Sequence, residues 1–337
     1  MRKCDVGGPR SIARLSCSRY YICHAVLIDN AEKQRLTEQS FATGDPKAGD
    51  SVPECGPDVQ DQPGTPDSKS AGYQCVGIAI HSHGYAMFNW FRNRRRKRIL
   101  QEPWASAWDL ILENNIGHCK GLSTTERDKL KKIIRIIVHE KHWEAHGGLE
   151  LSDEIKVTIA GTAALMLLGV EDFYFEHVNT IIVYPHPIRR QTQGGLVVGK
   201  ESRHAGEAWQ NGQVVLSWQD VLSDSRNPFD GRNLVIHEFA HCLDGLDGEM
   251  GGSLAFGDAA TTRRWHRVCE TEFAALTRAA ERRQKTLLDY YGATNKAEFF
   301  AVASETFFEK PRQLDEEHAE LFELLVKYYR LDPTKWT

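Results

Sequence analysis

No stretch of this chain is long and apolar enough to cross a bilayer. The longest apolar run, Val157 to Val170, has 14 residues and already carries Thr158, Gly161 and Thr162. A span needs about 20 residues, so the run reads as a buried helix. An excess of one charge is also missing: 42 Lys and Arg face 46 Asp and Glu, a formal net charge of −4. That balance removes any global case for a nucleic-acid or membrane partner. The five cysteines at the start (Cys4, Cys17, Cys23, Cys55, Cys75) are separated by 12, 5, 31 and 19 residues. Without a CxxC pair, neither a zinc knuckle nor a disulfide framework is indicated. The start does not combine basic residues, an apolar block and a small-residue cleavage site, so a cytoplasmic location is expected. No internal repeat is present, which sets solenoids aside.

What is there is uneven. At 337 residues, 41% hydrophobic and 26% charged, the chain as a whole has globular proportions. Residues 1–86, however, hold six of the twelve prolines and none of the eight tryptophans. Thr43 to Gly72 is Pro, Gly, Asp and Ser with hardly an apolar side chain, which cannot offset its ordering entropy. Residues 1–86 are therefore expected to be a disordered extension or an artefact of start-site choice ahead of Met87. The folded domain is expected over 87–337. Arg92 to Arg98 has six basic residues in seven. No further basic cluster joins it, so it reads as a solvated helix or tail.

Periodicity places helices near 104–113, from a capping box at Ser123-Thr-Thr-Glu126, and from Ser152 through Leu168. Thr180 to Tyr184 reads as a strand and 195–199 as another. Glu207 to Trp218 reads as a hairpin turning on Asn211-Gly212, a pair that supplies two positive φ angles. Helices then follow at about 232–244, 260–284, 295–309 and 313–329. Strands first and helices after argue for an α+β domain, mostly helical, with a small mixed sheet and an edge hairpin.

Chemistry concentrates in His237-Glu238-Phe-Ala-His241. On a helix, i and i+4 share a face, so both imidazoles can reach one ion, and the glutamate beside them can reach a metal-bound water. A pair of hydrogen-bonded core histidines is the alternative. A catalytic metal needs a third ligand, and the downstream candidates are Asp244, Asp247, Glu249, His266, Glu298 and Glu305. Glu298 is best placed, in the buried helix Glu298-Phe-Phe-Ala-Val-Ala-Ser-Glu305. Its other reading is the N3 member of a cap opened by Asn295.

Five stretches carry a resemblance: GGLELSDEIKVTIAGTAALMLLG (147–169), IIVYP (181–185), GEAWQNGQVVLSW (206–218), NLVIHEFAHCLDGLDG (233–248) and AEFFAVASETFFEKP (297–311). Over about residues 87–337 the chain resembles the Mlc titration factor A family of zinc metallopeptidases, related to the anthrax lethal factor protease core. The resemblance implies a zincin-like fold in which His237, His241 and Glu298 ligate one Zn2+ and Glu238 is the general base. It also implies that Tyr291, seven residues before the ligand glutamate, assists catalysis; Tyr290 is the adjacent alternative. Cys242 is expected to be a packed side chain, and Asp244 either an imidazole partner or a helix-end carboxylate. The implied function is hydrolysis of peptide substrates, aminopeptidase-like. The 206–218 hairpin is a candidate edge for an extended substrate backbone, with ordinary sheet structure as the alternative. Binding of a transcriptional repressor resembling Mlc is the second implied role, alone or beside catalysis. A purely structural zinc site would leave Glu238 without a task. Direct nucleic-acid and membrane partners are not expected.

Overall fold

The computed structural model describes residues 86–187, 212–247, 251–252, 254 and 256–336. Almost all of the expected extension, the expected strand at 195–199 and the first limb of the expected hairpin lie outside the described residues. Among the described residues thirteen α-helices and strands follow one another in chain order. Helices α1 (Ala86–Gln101), α2 (Ser106–Asn115) and α3 (Thr124–Glu140) lead into strand β1 (His142–Ala145). Then come α4 (Asp153–Leu165), β2 (Thr180–Tyr184), β3 (Gln213–Ser217), α5 (Trp218–Arg226) and α6 (Leu234–Asp244). The chain closes with α7 (Ala259–Glu281), α8 (Lys296–Glu309), α9 (Pro311–Glu317) and α10 (Ala319–Tyr329). The small sheet in a mostly helical domain is the expected fold class; strand β1, between α3 and α4, is an element among the described residues that the sequence reading does not place.

Local chemistry explains where the helices begin. At α3 the Ser123 hydroxyl accepts from Glu126 N (3.3 Å), and the Glu126 carboxylate accepts from Ser123 N (2.8 Å). This capping box satisfies two end groups reciprocally. Ser152 accepts from Ile155 N at the start of α4. Along α4 every residue from Val157 to Leu165 is buried, as the apolar run implied. Its small residues allow close approach: a Cβ at Gly161 would lie 2.3 Å from Ile116 Cδ1.

The three described strands are parallel, in the order β1-β2-β3, with His142 opposite Thr180 and Thr180 opposite Gln213. A parallel pair cannot be closed by a tight turn, and here α4 provides the crossover from β1 to β2. Central Ile181, Ile182 and Val183, like Val214, Val215 and Leu216, are buried, as a covered parallel sheet requires. Gly212 has φ +67°, the conformation expected of the Asn-Gly turn, and its carbonyl accepts from Asn179 N and Thr180 N. The C-terminal helix expected over 313–329 is instead two helices. They break at His318, whose ring meets Glu272 of α7 (2.9 Å).

α6 is buried along its whole length, and α8 from Glu298 to Glu309. These two helices, packed on each other and flanked by β3 and α7, carry the site.

Candidate metal centre

Asn233 and Asn295 set the register of the two helices. Asn233 accepts from Ile236 N (3.2 Å) and so starts α6; Asn295 accepts from Glu298 N (3.0 Å) and starts α8. The cap reading of Glu298 therefore describes its backbone N–H, while its side chain turns to the imidazoles. Glu298 Oε2 lies 3.0 Å from His237 Nε2 and 3.3 Å from His241 Nε2, and the two Nε2 atoms are 3.2 Å apart. His237, His241 and Glu298 are all buried and form the metal-competent group found among the described residues. A tetrahedral zinc with bonds of about 2.0–2.1 Å has ligand edges of about 3.3 Å, close to the observed triangle.

Protonation sharpens the point. His237 Nδ1 lies 2.8 Å from Glu305 Oε1. With the proton donated there, Nε2 presents a lone pair toward the Glu298 carboxylate, an arrangement that only a positive species reconciles. Burial opposes charge on His237, yet the hydrogen bonds to Glu298 and Glu305 outweigh it and hold the ring at about 10. A divalent cation meets that demand, and the donor set of two imidazoles and a carboxylate suits one.

Glu238 is 1% exposed, and neither carboxylate oxygen has a hydrogen-bond partner among the described residues. A buried carboxylate left so is costly. It stands one residue from His237, beside the three convergent donors.

Tyr291 sits on a 3-10 turn, Tyr290–Ala293, capped by Asp289, which accepts from Tyr291 N (2.9 Å). Asp289 in turn pairs with Arg232, immediately before the Asn233 cap. The Tyr291 ring lies 5.8 Å from that of His237, centroid to centroid. Tyr290 is 38% exposed and donates its hydroxyl to the Gln284 carbonyl. Of the adjacent pair, Tyr291 is the one packed at the triad.

Other candidates separate cleanly. Asp244 accepts from Gly252 N (2.9 Å) at the end of α6, a backbone tie on the helix-end carboxylate. His266 is exposed on α7. Glu249 and the Asp247 side chain lie outside the described residues. The Cys242 thiol is buried against Glu238 O (3.4 Å), and burial pushes it well above the ordinary range.

In the sequence Glu305 stands only as a rival ligand, and its observed place is different. It bonds His237 with one oxygen and accepts from Asn233 N (2.7 Å) with the other. The signal was available: Glu305 lies two helical turns after Glu298, on the same face of α8. Behind it, Asn233 Nδ2 donates to Glu309 Oε1 (3.1 Å), and burial raises the Glu309 carboxyl well above its usual range.

Residues 90–330 match the family described as glucose-regulated metallo-peptidase M90. An uncharacterised protein of Synechocystis is 35% identical over 263 residues, covering 77% of this chain and 94% of the relative. Mlc titration factor A of Klebsiella pneumoniae is 30% identical over 259 residues, 73% of this chain and 93% of the relative. The same-named protein of Yersinia pestis is 28% identical over 254 residues, covering 72% and 89%.

Proposed function

The chain belongs to the glucose-regulated metallo-peptidase M90 family, and from that premise we propose that it is a zinc-dependent peptidase, aminopeptidase-like, acting on small peptide substrates in the cytoplasm. His237, His241 and Glu298 would hold the zinc. When bound, zinc would polarise the scissile carbonyl and lower the pKa of its water toward ~7. Glu238 takes the proton from the attacking water and returns it to the leaving amine. Its lack of a hydrogen-bond partner among the described residues is the single observation that carries this reading, because a structural carboxylate in the same place would be hydrogen-bonded. Glu305 fixes the His237 tautomer and ring tilt. Tyr291 donates a hydrogen bond to the oxyanion of the tetrahedral state. β3, at one edge of the described sheet, is the strand along which an extended substrate backbone would lie.

The test is metal content by elemental analysis, with hydrolysis of amino-acid anilides before and after chelation. Glu238→Ala is expected to keep stoichiometric zinc and lose turnover; retained hydrolysis by that variant counts against the mechanism. A second role rests on the relatives' printed name, Mlc titration factor A: binding of a repressor resembling Mlc. Co-purification of such a repressor with the Glu238→Ala variant would separate binding from catalysis.

A further inference from the structure

We propose that helix α1 docks the protein on a bilayer surface carrying anionic headgroups. The whole chain has a formal net charge of −4, but α1 has six basic residues and no acidic one in Ala86–Gln101. The rotation of the helix is fixed by one of those six. Arg96 is 6% exposed and donates from Nε and Nη2 to the Glu140 carboxylate (2.9 and 2.7 Å). The same guanidinium reaches Glu176 (3.0 Å) and stacks 4.3 Å over the Tyr174 ring. Ile99, three residues on, is buried on the same side. Arg95 adds a bond to the His139 carbonyl (3.1 Å).

With that face turned inward, the opposite stripe is set. Trp90, Arg94, Lys97 and Arg98 stand at i, i+4, i+7 and i+8, all exposed. Trp90 is 55% exposed and Phe91 60%, ring against ring at 4.8 Å, with the Arg94 guanidinium 5.4 Å over Trp90. None of Arg94, Lys97 and Arg98 has an acidic partner among the described residues. Aromatic rings at one end of a cationic stripe match the bilayer interface, where the rings enter the headgroup level and the cations meet phosphate. A nucleic acid would use the charges but has less use for two rings at the tip of a convex rod. No helix among the described residues is long and apolar enough to cross a membrane, and the contact proposed for α1 is with the surface. Net charge averages this stripe away, and the basic run Arg92 to Arg98 read by itself is a solvated helix or tail; the exposed rings of Trp90 and Phe91 beside it change that reading.

The test is sedimentation of the full chain with vesicles of phosphatidylcholine alone or mixed with phosphatidylglycerol, at low and high salt. Binding to the anionic vesicles alone, released by salt, is the expected result. Each surface cation is worth roughly fivefold in affinity, so Arg94→Gln/Lys97→Gln/Arg98→Gln is expected to weaken binding about a hundredfold. Trp90→Ser/Phe91→Ser is expected to weaken it as well. Both variants should keep the parent thermal midpoint, because the side chains are exposed. Failure to bind anionic vesicles at low salt, equal binding to neutral ones, or an unaffected triple variant would overturn the proposal. So would tighter binding to a duplex oligonucleotide than to vesicles.

Discussion

Two glutamates at one centre differ completely in how they are held. Glu305 on α8 and Glu238 on α6 are each 1% exposed. Glu305 spends one oxygen on an imidazole and the other on a backbone N–H. Glu238 has neither kind of partner among the described residues. Burial is the same; only solvation by the protein differs. A carboxylate that shapes the fold is surrounded by donors, whereas one kept for chemistry is left waiting for a partner that arrives with the substrate and its water.

The largest effect should come from the unpartnered member. Glu238→Gln is expected to lower kcat by at least a hundredfold, the scale of general acid–base catalysis. Its thermal midpoint should stay the same or rise, since the wild-type carboxylate makes no hydrogen bond among the described residues that the variant could lose. A matching loss of stability would make Glu238 structural and erase the contrast with Glu305.

Tyr291→Phe should reduce turnover by ~10²–10³, with little change in KM, if its hydroxyl serves the oxyanion. Tyr290→Phe should leave turnover unchanged, and an equal fall in both variants would refute the assignment between neighbours.

Glu305→Ala should behave oppositely to Glu238→Gln. Metal affinity is expected to drop roughly 10–100-fold, the usual consequence of removing the carboxylate behind a ligand imidazole. Stability should fall by about 1–3 kcal/mol as His237 and Asn233 N lose an acceptor. Isothermal metal titration and thermal unfolding measure the two separately.

A smaller effect is expected far from the centre. The hydrogen bond to Glu272 raises the pKa of His318, against the opposing pull of burial. A raised folded-state pKa stabilises below the unfolded value of about 6.5 and is lost as pH climbs through the folded one. The midpoint difference between the parent and His318→Asn should therefore be larger at acidic than at alkaline pH. Partial exposure keeps it under about 1 kcal/mol.

The sequence was legible where local chemistry decides the outcome. Ser123, Ser152 and Asn295 start helices where side-chain oxygens sit ahead of apolar periodicity, whereas the cap at Asn233 falls inside the helix expected from 232. The His237, His241 and Glu298 constellation followed from i,i+4 spacing and a resemblance that included the second helix. Pairings between distant segments were not legible. β1 is four residues of mixed burial that become a strand only beside β2. α5 begins one residue after β3 ends, where Ser217 accepts from Asp220 N and cuts short the expected strand. The 313–329 helix keeps an apolar periodicity across His318, and only its tertiary tie to Glu272 goes with the break. Glu305 was seen as a carboxylate in search of a metal because composition gives no sign of which imidazole nitrogen it will meet.

The cap Asn233, the ring of His237 and the ring of His241 recur every four residues along α6, and Glu305 grips the first two together. An insertion or deletion between 233 and 237 would rotate the rings by about 100° per residue relative to that grip. Natural variation in this family's chains should therefore tolerate apolar exchanges at Leu234, Val235, Ile236, Phe239 and Ala240 far better than any change in the number of residues between the cap and the rings. The spacing of the stretch is as constrained as its polar side chains.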